Sequence, residues 1–262
     1  MKLLIPLFLT LLAMGDELYD AVGAIARDEA TSDTAFRYAG RHGENEATHF
    51  LHIVSATREN GNRLSLSAYR LATGDGAEGL WISMMPNLRT PSSGNAFSSL
   101  PVGTNARAVS GSGSGCDIQV VDGTVVVVSS ISYVRSRPSE QTHEDDKIIC
   151  EGIARRTLAR CRGLQAQSAQ NININGTPVG SVTGPRGERL VDLVGYCQAR
   201  GLELTTNQRL GTASFTQDGE LVVIPLAALK IKDGPRWIDT RDIALIKDGR
   251  WYVSFEGLEA TR

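Results

Sequence analysis

The chain has no excess of either charge: 27 lysines and arginines stand against 29 aspartates and glutamates, a formal net charge of −2. Such a balance gives no electrostatic footprint for nucleic acid, which is therefore not expected as a partner. Long apolar runs are missing beyond the first fifteen residues; runs such as Val125 to Val128 are only strand-sized. No stable membrane span is expected once a leader is removed. Cysteine is sparse, at Cys116, Cys150, Cys161 and Cys197, and these are not the close pairs of a zinc ribbon. Several catalytic signatures are absent as well. There is no HExxH, no lysine three residues after a serine, and no Gly-Lys-Ser/Thr closing a phosphate loop. Neither a metal nor a cofactor is expected.

The most informative stretch is the N-terminus. Met1-Lys2 is a short basic start, Leu3 to Leu12 is apolar apart from Pro6 and Thr10, and Ala13-Met14-Gly15 precedes Asp16. Basic, apolar and small-residue regions in that order predict a signal peptide over residues 1–15. The alternative is a buried first helix; acidic Asp16-Glu17 and the lack of a polar face argue against it. Export to the periplasm, cell envelope or extracellular space makes disulfides among the four cysteines an expectation, with three possible connectivities. Cys150 and Cys161 would lie ~16 Å apart on one helix and could not join each other there. Buried thiols are the alternative.

Periodicity predicts an α+β protein: an antiparallel β-sheet domain with flanking helices over 16–165, followed by a small β-rich module over 171–262. Asp16 to Arg27 reads as an amphipathic helix. Ala47 to Ser55, Arg63 to Leu71 and Gly79 to Met84 read as strands joined by Asn60-Gly61-Asn62 and Gly74-Asp75-Gly76 turns. Pro86 to Gly115 reads as a long loop, with Ser110 to Gly115 as a flexible linker. Asp117 to Val121 and Thr124 to Val128 flank an Asp122-Gly123 turn. Ser136 to Asp146 reads as a polar loop, Lys147 to Leu164 as a helix, and Gln165 to Asn171 as a linker. Beyond it come a strand and turn at Ile172 to Val179, a helix over Glu188 to Arg200 stopped by Gly201, and hairpins at Asp218-Gly219 and Asp248-Gly249.

This second half repeats itself. Asn175-Gly176-Thr177-Pro178-Val179 leads to Gly187-Glu188-Arg189-Leu190-Val191, and Lys232-Asp233-Gly234-Pro235-Arg236 leads to Asp248-Gly249-Arg250-Trp251-Tyr252-Val253. With those motifs, the helix ending at Gly201 and the Asp218-Gly219 hairpin, residues 171–262 resemble the copper amine oxidase N-terminal-like (stalk) domain of exported bacterial proteins. Asp192 follows Val191 and Ser254 follows Val253, where the family places proline. The resemblance implies a non-catalytic module and carries no catalytic or metal residue to this chain.

Candidate chemistry is thin elsewhere. His49 and His52 form an HxxH, but a strand there would send them to opposite faces. His143-Glu144-Asp145-Asp146 lacks the spacing and glycine of a calcium loop. Neither Ser112 nor Ser114 has the register of a nucleophile elbow. Trp237, Trp251 and Tyr252, with Trp81, would make a sugar-stacking face if exposed. Asn175-Gly176-Thr177 is a glycosylation sequon and equally a turn. No catalytic residue emerges. The expected function is a non-catalytic cell-envelope or extracellular protein with a binding or spacer module, partnered by cell-wall polymer or an envelope protein. The alternative is a secreted hydrolase with its site in 16–165, near the 86–115 segment.

Overall fold

A computed structural model describes residues 21–30, 37–46, 49–57, 62–71, 73–84, 96–99, 105–111, 115–133, 140–184, 187–207, 212–224, 236–237 and 244–259. The signal peptide expected over residues 1–15 lies outside the described residues. Helix α1 covers residues 21–30. Seven strands then build one antiparallel sheet: β1 (Arg37–Glu46), β2 (His49–Thr57), β3 (Arg63–Leu71), β4 (Ala96–Ser99), β5 (Asn105–Gly111), β6 (Gly115–Asp122) and β7 (Val125–Ser132). Their order is β1-β2-β3-β7-β6-β5-β4, so two meanders meet along the β3–β7 pair. Alternation makes these strands two-faced. Leu64, Leu66, Ala68, Ile118, Val120, Val125, Val127 and Ile131 form a buried face. Against it pack Val22, Ile25 and Ala26 of α1, and Cys150, Ile153, Ala154 and Leu158 of α3 (Glu140–Gln165). Glu29 of α1 accepts a hydrogen bond from Arg156 of α3 at 2.8 Å and fixes the two helices side by side.

Three sequence expectations are corrected here. The Gly79 to Met84 segment is not a strand. It belongs to α2 (Gly74–Ser83), because the Thr73 hydroxyl accepts from the Gly76 amide and starts a helix before the apolar residues arrive. The Pro86 to Gly115 segment is not one long loop, since β4 and β5 come from it and Gly111 pairs with Gly115. The acidic run Glu144 to Asp146 is helical: α3 starts at Glu140, and buried Asp146 accepts from the Tyr133 hydroxyl at 3.0 Å.

The second unit holds β8 (Gln167–Ser168), β9 (Ile172–Ile174), β10 (Thr177–Val179), β11 (Ser181–Thr183), β12 (Arg189–Asp192), α4 (Leu193–Arg200), β13 (Thr205–Asn207), β14 (Thr212–Gln217), β15 (Glu220–Ile224), β16 (Arg236–Trp237), β17 (Leu245–Lys247), β18 (Arg250–Ser254) and α5 (Phe255–Glu259). One sheet runs β17-β18-β12-β11-β8, another β13-β14-β15-β16, and β9 pairs with β10. The predicted helix over Glu188 to Arg200 is part strand: Leu190 to Asp192 pairs with β18, and α4 starts only where the Asp192 carboxylate caps the Val194 amide. Gly201, at φ 66°, ends α4, and the Leu202 amide reaches the Cys197 carbonyl.

The second blocks of the internal echo are neighbours in space. β12 and β18 are antiparallel neighbours with Val191 opposite Val253. Each is the second strand of a hairpin, entered through a positive-φ glycine, Gly187 or Gly249. Each runs straight into a helix. Asp192 caps α4, and Ser254 Oγ caps α5 by accepting from the Gly257 amide at 3.0 Å. Asp192 and Ser254, which directly follow Val191 and Val253, are therefore the two helix caps. Leu193 and Tyr196 of α4, and Phe255 and Leu258 of α5, meet in one core with Val191, Val253, Phe215, Val222 and Ile224.

The expected linker is part of the structure. Ala166 is buried with Val182, Leu190 and Leu245, while β8 pairs with β11. Arg162 near the end of α3 pairs with Asp122 of β6 at 2.6 Å and donates to the Ala244 carbonyl at 3.4 Å. A methyl group at Gly163 would overlap the Ile246 carbonyl, so only glycine lets α3 approach β17 this closely.

Candidate functional site

α1 and α3 occupy one face of the seven-stranded sheet; the other face is divided. On the three central strands cross-strand register sets out four rows: Tyr69–Val126–Val121, Ser67–Val128–Gln119, Ser65–Ser130–Asp117, and Arg63 with Ser132. The face thus changes from apolar to polar along β3, β7 and β6. Helix α2 covers the apolar end, with Ala77, Leu80, Trp81 and Met84 packed on Leu71, Tyr69, Val121, Val126 and Val128. Trp81 stands at the boundary, half-buried, and donates its indole N–H to the Gln119 carbonyl at 3.4 Å. Beyond it Ser65, Ser67, Ser130 and Asp117 are half-buried, and Arg63 and Ser132 are exposed. Burial pushes the Asp117 carboxyl above its ordinary range, against the opposing effect of a hydrogen bond from Ser130. Rows of hydroxyls beside one half-buried acid and an aromatic edge can donate and accept several hydrogen bonds on a flat surface.

The sequence-derived candidates are not brought together. Trp251 packs on the core shared by α4 and α5, whereas Tyr252 packs with Leu190 and Leu245 on the other face of β18. They form no common stacking platform, and the Trp237 side chain lies outside the described residues. His49 registers with Leu71 and His52 with Ala68, which enter the cores on opposite faces of the sheet. Among the described residues no group of His, Cys, Asp and Glu could hold a metal ion. No helix there is long and apolar enough to cross a membrane.

The disulfide expectation is corrected: Cys150, Cys161 and Cys197 are buried, and among the described residues no sulfurs lie at disulfide distance. Cys150 and Cys161 sit under the seven-stranded sheet, Cys197 in the core of the second unit. The Cys116 side chain lies outside the described residues. Burial pushes the Cys161 and Cys197 thiols up to about 12. Asn175, at φ 51°, and Gly176 make the β9–β10 turn, with the Gly176 amide donating to Asn173 Oδ1 at 2.8 Å.

Two further polar groups are structural. Glu259 of α5 accepts from the Tyr196 hydroxyl at 3.1 Å and pairs with Arg200, whose guanidinium lies over the Tyr196 ring, so α4 and α5 are tied together. Glu151 of α3 is buried; burial pushes its carboxyl up to about 7, with Lys147 and Arg155 opposing and Glu144 adding to the shift.

Comparison of the chain with family models, with curated proteins and with solved structures returns no match. The polar half-face was missed in the sequence although its signal was present. Ser65 and Ser67 alternate in one strand, and Ser130 and Ser132 in another. Only the β3–β7 register puts them on one surface.

Proposed function

We propose that the protein is exported and works in the cell envelope or outside the cell as a non-catalytic binding protein. It holds its ligand on the polar half of the seven-stranded sheet, and the second unit serves as a stalk-like support. The observation carrying this reading is the division of that sheet face: α2 caps the apolar end and stops where hydroxyls and Asp117 begin. A sheet face needs apolar residues only where something packs on it, so the change in composition marks where packing ends among the described residues. The leader-like N-terminus supports export. The stalk-like motifs of 171–262 support a role beside a surface rather than in metabolism. Mass spectrometry of the protein from fractionated host cells tests the reading. The expected result is a chain beginning at Asp16 and pelleting with insoluble envelope material. A cytoplasmic chain that retains Met1 to Gly15 would overturn it.

A further inference from the structure

We propose that the polar half-face takes a neutral, hydroxyl-rich chain, a polysaccharide strand, hydrogen-bonded by Ser65, Ser130 and Asp117 and bounded by the Trp81 ring. This rests on the binding role just proposed and names the ligand class of that site. Three observations carry it. The first is the geometry. Same-face residues recur at about 7 Å along a strand, and strands lie about 4.8 Å apart. Ser65, Ser67, Ser130 and Asp117 therefore form a lattice of polar groups across three neighbouring strands. A lattice spread over three strands suits an extended ligand rather than a compact one.

The second is charge. On this half-face the strand register places one acid, Asp117, and two bases, Arg63 at the exposed rim and Arg107 opposite Gln119. A polyanion needs a cluster of basic groups, and a cation needs several carboxylates; this surface supplies neither. Serine hydroxyls donate and accept alike, and a carboxyl oxygen accepts from adjacent hydroxyls, which matches a ligand whose own groups are hydroxyls.

The third is the aromatic boundary. Trp81 is anchored through its indole N–H to the Gln119 carbonyl, one row from Asp117. Sugar rings present C–H faces as well as hydroxyls. An aromatic edge beside a hydroxyl lattice meets both kinds of surface.

The test uses the full mature chain in affinity gel electrophoresis with soluble hydroxyethyl cellulose, a neutral polymer, and with polygalacturonate, an anionic one. The neutral polymer is expected to retard the protein and the anionic one to leave it unaffected. The double change Ser65→Val and Ser130→Val keeps residues that favour strands and removes two hydroxyls. It is expected to weaken retardation about thirtyfold, since two lost hydrogen bonds contribute on the order of 1 kcal/mol each. Thr216→Val, which removes an exposed hydroxyl from β14, is expected to change nothing. Thermal melts of all variants separate loss of binding from loss of fold. Should the double variant melt early, Asp117→Asn, which keeps the shape and alters the acceptor, is read in its place. Wild-type protein that migrates freely through the neutral gel, or that polygalacturonate retards more, sinks the proposal; so does unchanged retardation of a folded variant. An envelope-associated protein that ignores the neutral polymer would keep the binding role and lose the saccharide. A cytoplasmic chain would lose the envelope role whatever the gels show.

Discussion

Glu151 is an acid where water barely reaches, and that position makes the fold sensitive to pH. Its carboxyl titrates at about 7, against 4.5 for an exposed glutamate. Between those values the folded protein keeps a proton that the unfolded chain has released. Stability from this group is therefore full below about 4.5 and is lost as pH rises through 7, by up to roughly 3 kcal/mol. Glu151→Gln is expected to flatten that loss, so that its urea midpoint falls less than that of wild type between pH 5 and pH 8. A variant with the same pH slope as wild type would show that another group is responsible. Gly163 is the opposite kind of position, decided by space rather than charge. Gly163→Ala would drive a methyl group into the Ile246 carbonyl, in a helix interior where alanine is otherwise the better residue. A loss of about 1–3 kcal/mol is expected, read as a lowered thermal midpoint. A gain in stability would mean that α3 can withdraw from β17 without penalty.

At the scale of elements, local signals were legible where they were strong and misleading where capping overrode them. The hairpins at Asp122-Gly123, Asp218-Gly219 and Asp248-Gly249 stand where the turn residues place them. The Gly201 stop holds because only a left-handed residue closes that helix end. Gly79 to Met84 misled because its apolar residues look alike in a strand and in a short helix. Thr73, six residues upstream, decides the matter by capping α2. Thr73→Ala is expected to cost about 1 kcal/mol and to lower the far-UV helical signal slightly. Glu188 to Arg200 misled in another way. Its 3.6-residue periodicity crosses a real boundary at Asp192, which ends a strand and starts a helix with the same side chain. Between Pro86 and Gly115, serine and glycine hid two outer strands whose pairing is invisible without the sheet's order. The polar half-face failed to appear for the same reason, because register is a property of two strands.

For the whole molecule, a division at residues 165–171 follows the composition but not the core. The last turn of α3 and β8 cover one face and one edge of the second unit's five-stranded sheet, through Ala166, Gln167 and Ser168. Residues 171–262 taken alone would expose Val182, Leu190, Leu245 and Tyr252. That fragment is expected to bind a hydrophobic dye and to associate in sedimentation, and one beginning before Arg162 to do neither. Equal behaviour of the two would restore the independent module. Asp122 and Ala244, gripped by one arginine, tie the two units at the same place. The paired hairpins of the second unit have a further consequence. Two separate chains, each with one hairpin and one helix, would have to find each other through the strands that β12 and β18 now supply, and the sheet would dissolve on dilution. Joined in tandem, the halves meet at an effective concentration set by the residues between them, in the millimolar range for short connections. The sheet centred on Val191 and Val253 therefore persists however dilute the protein becomes.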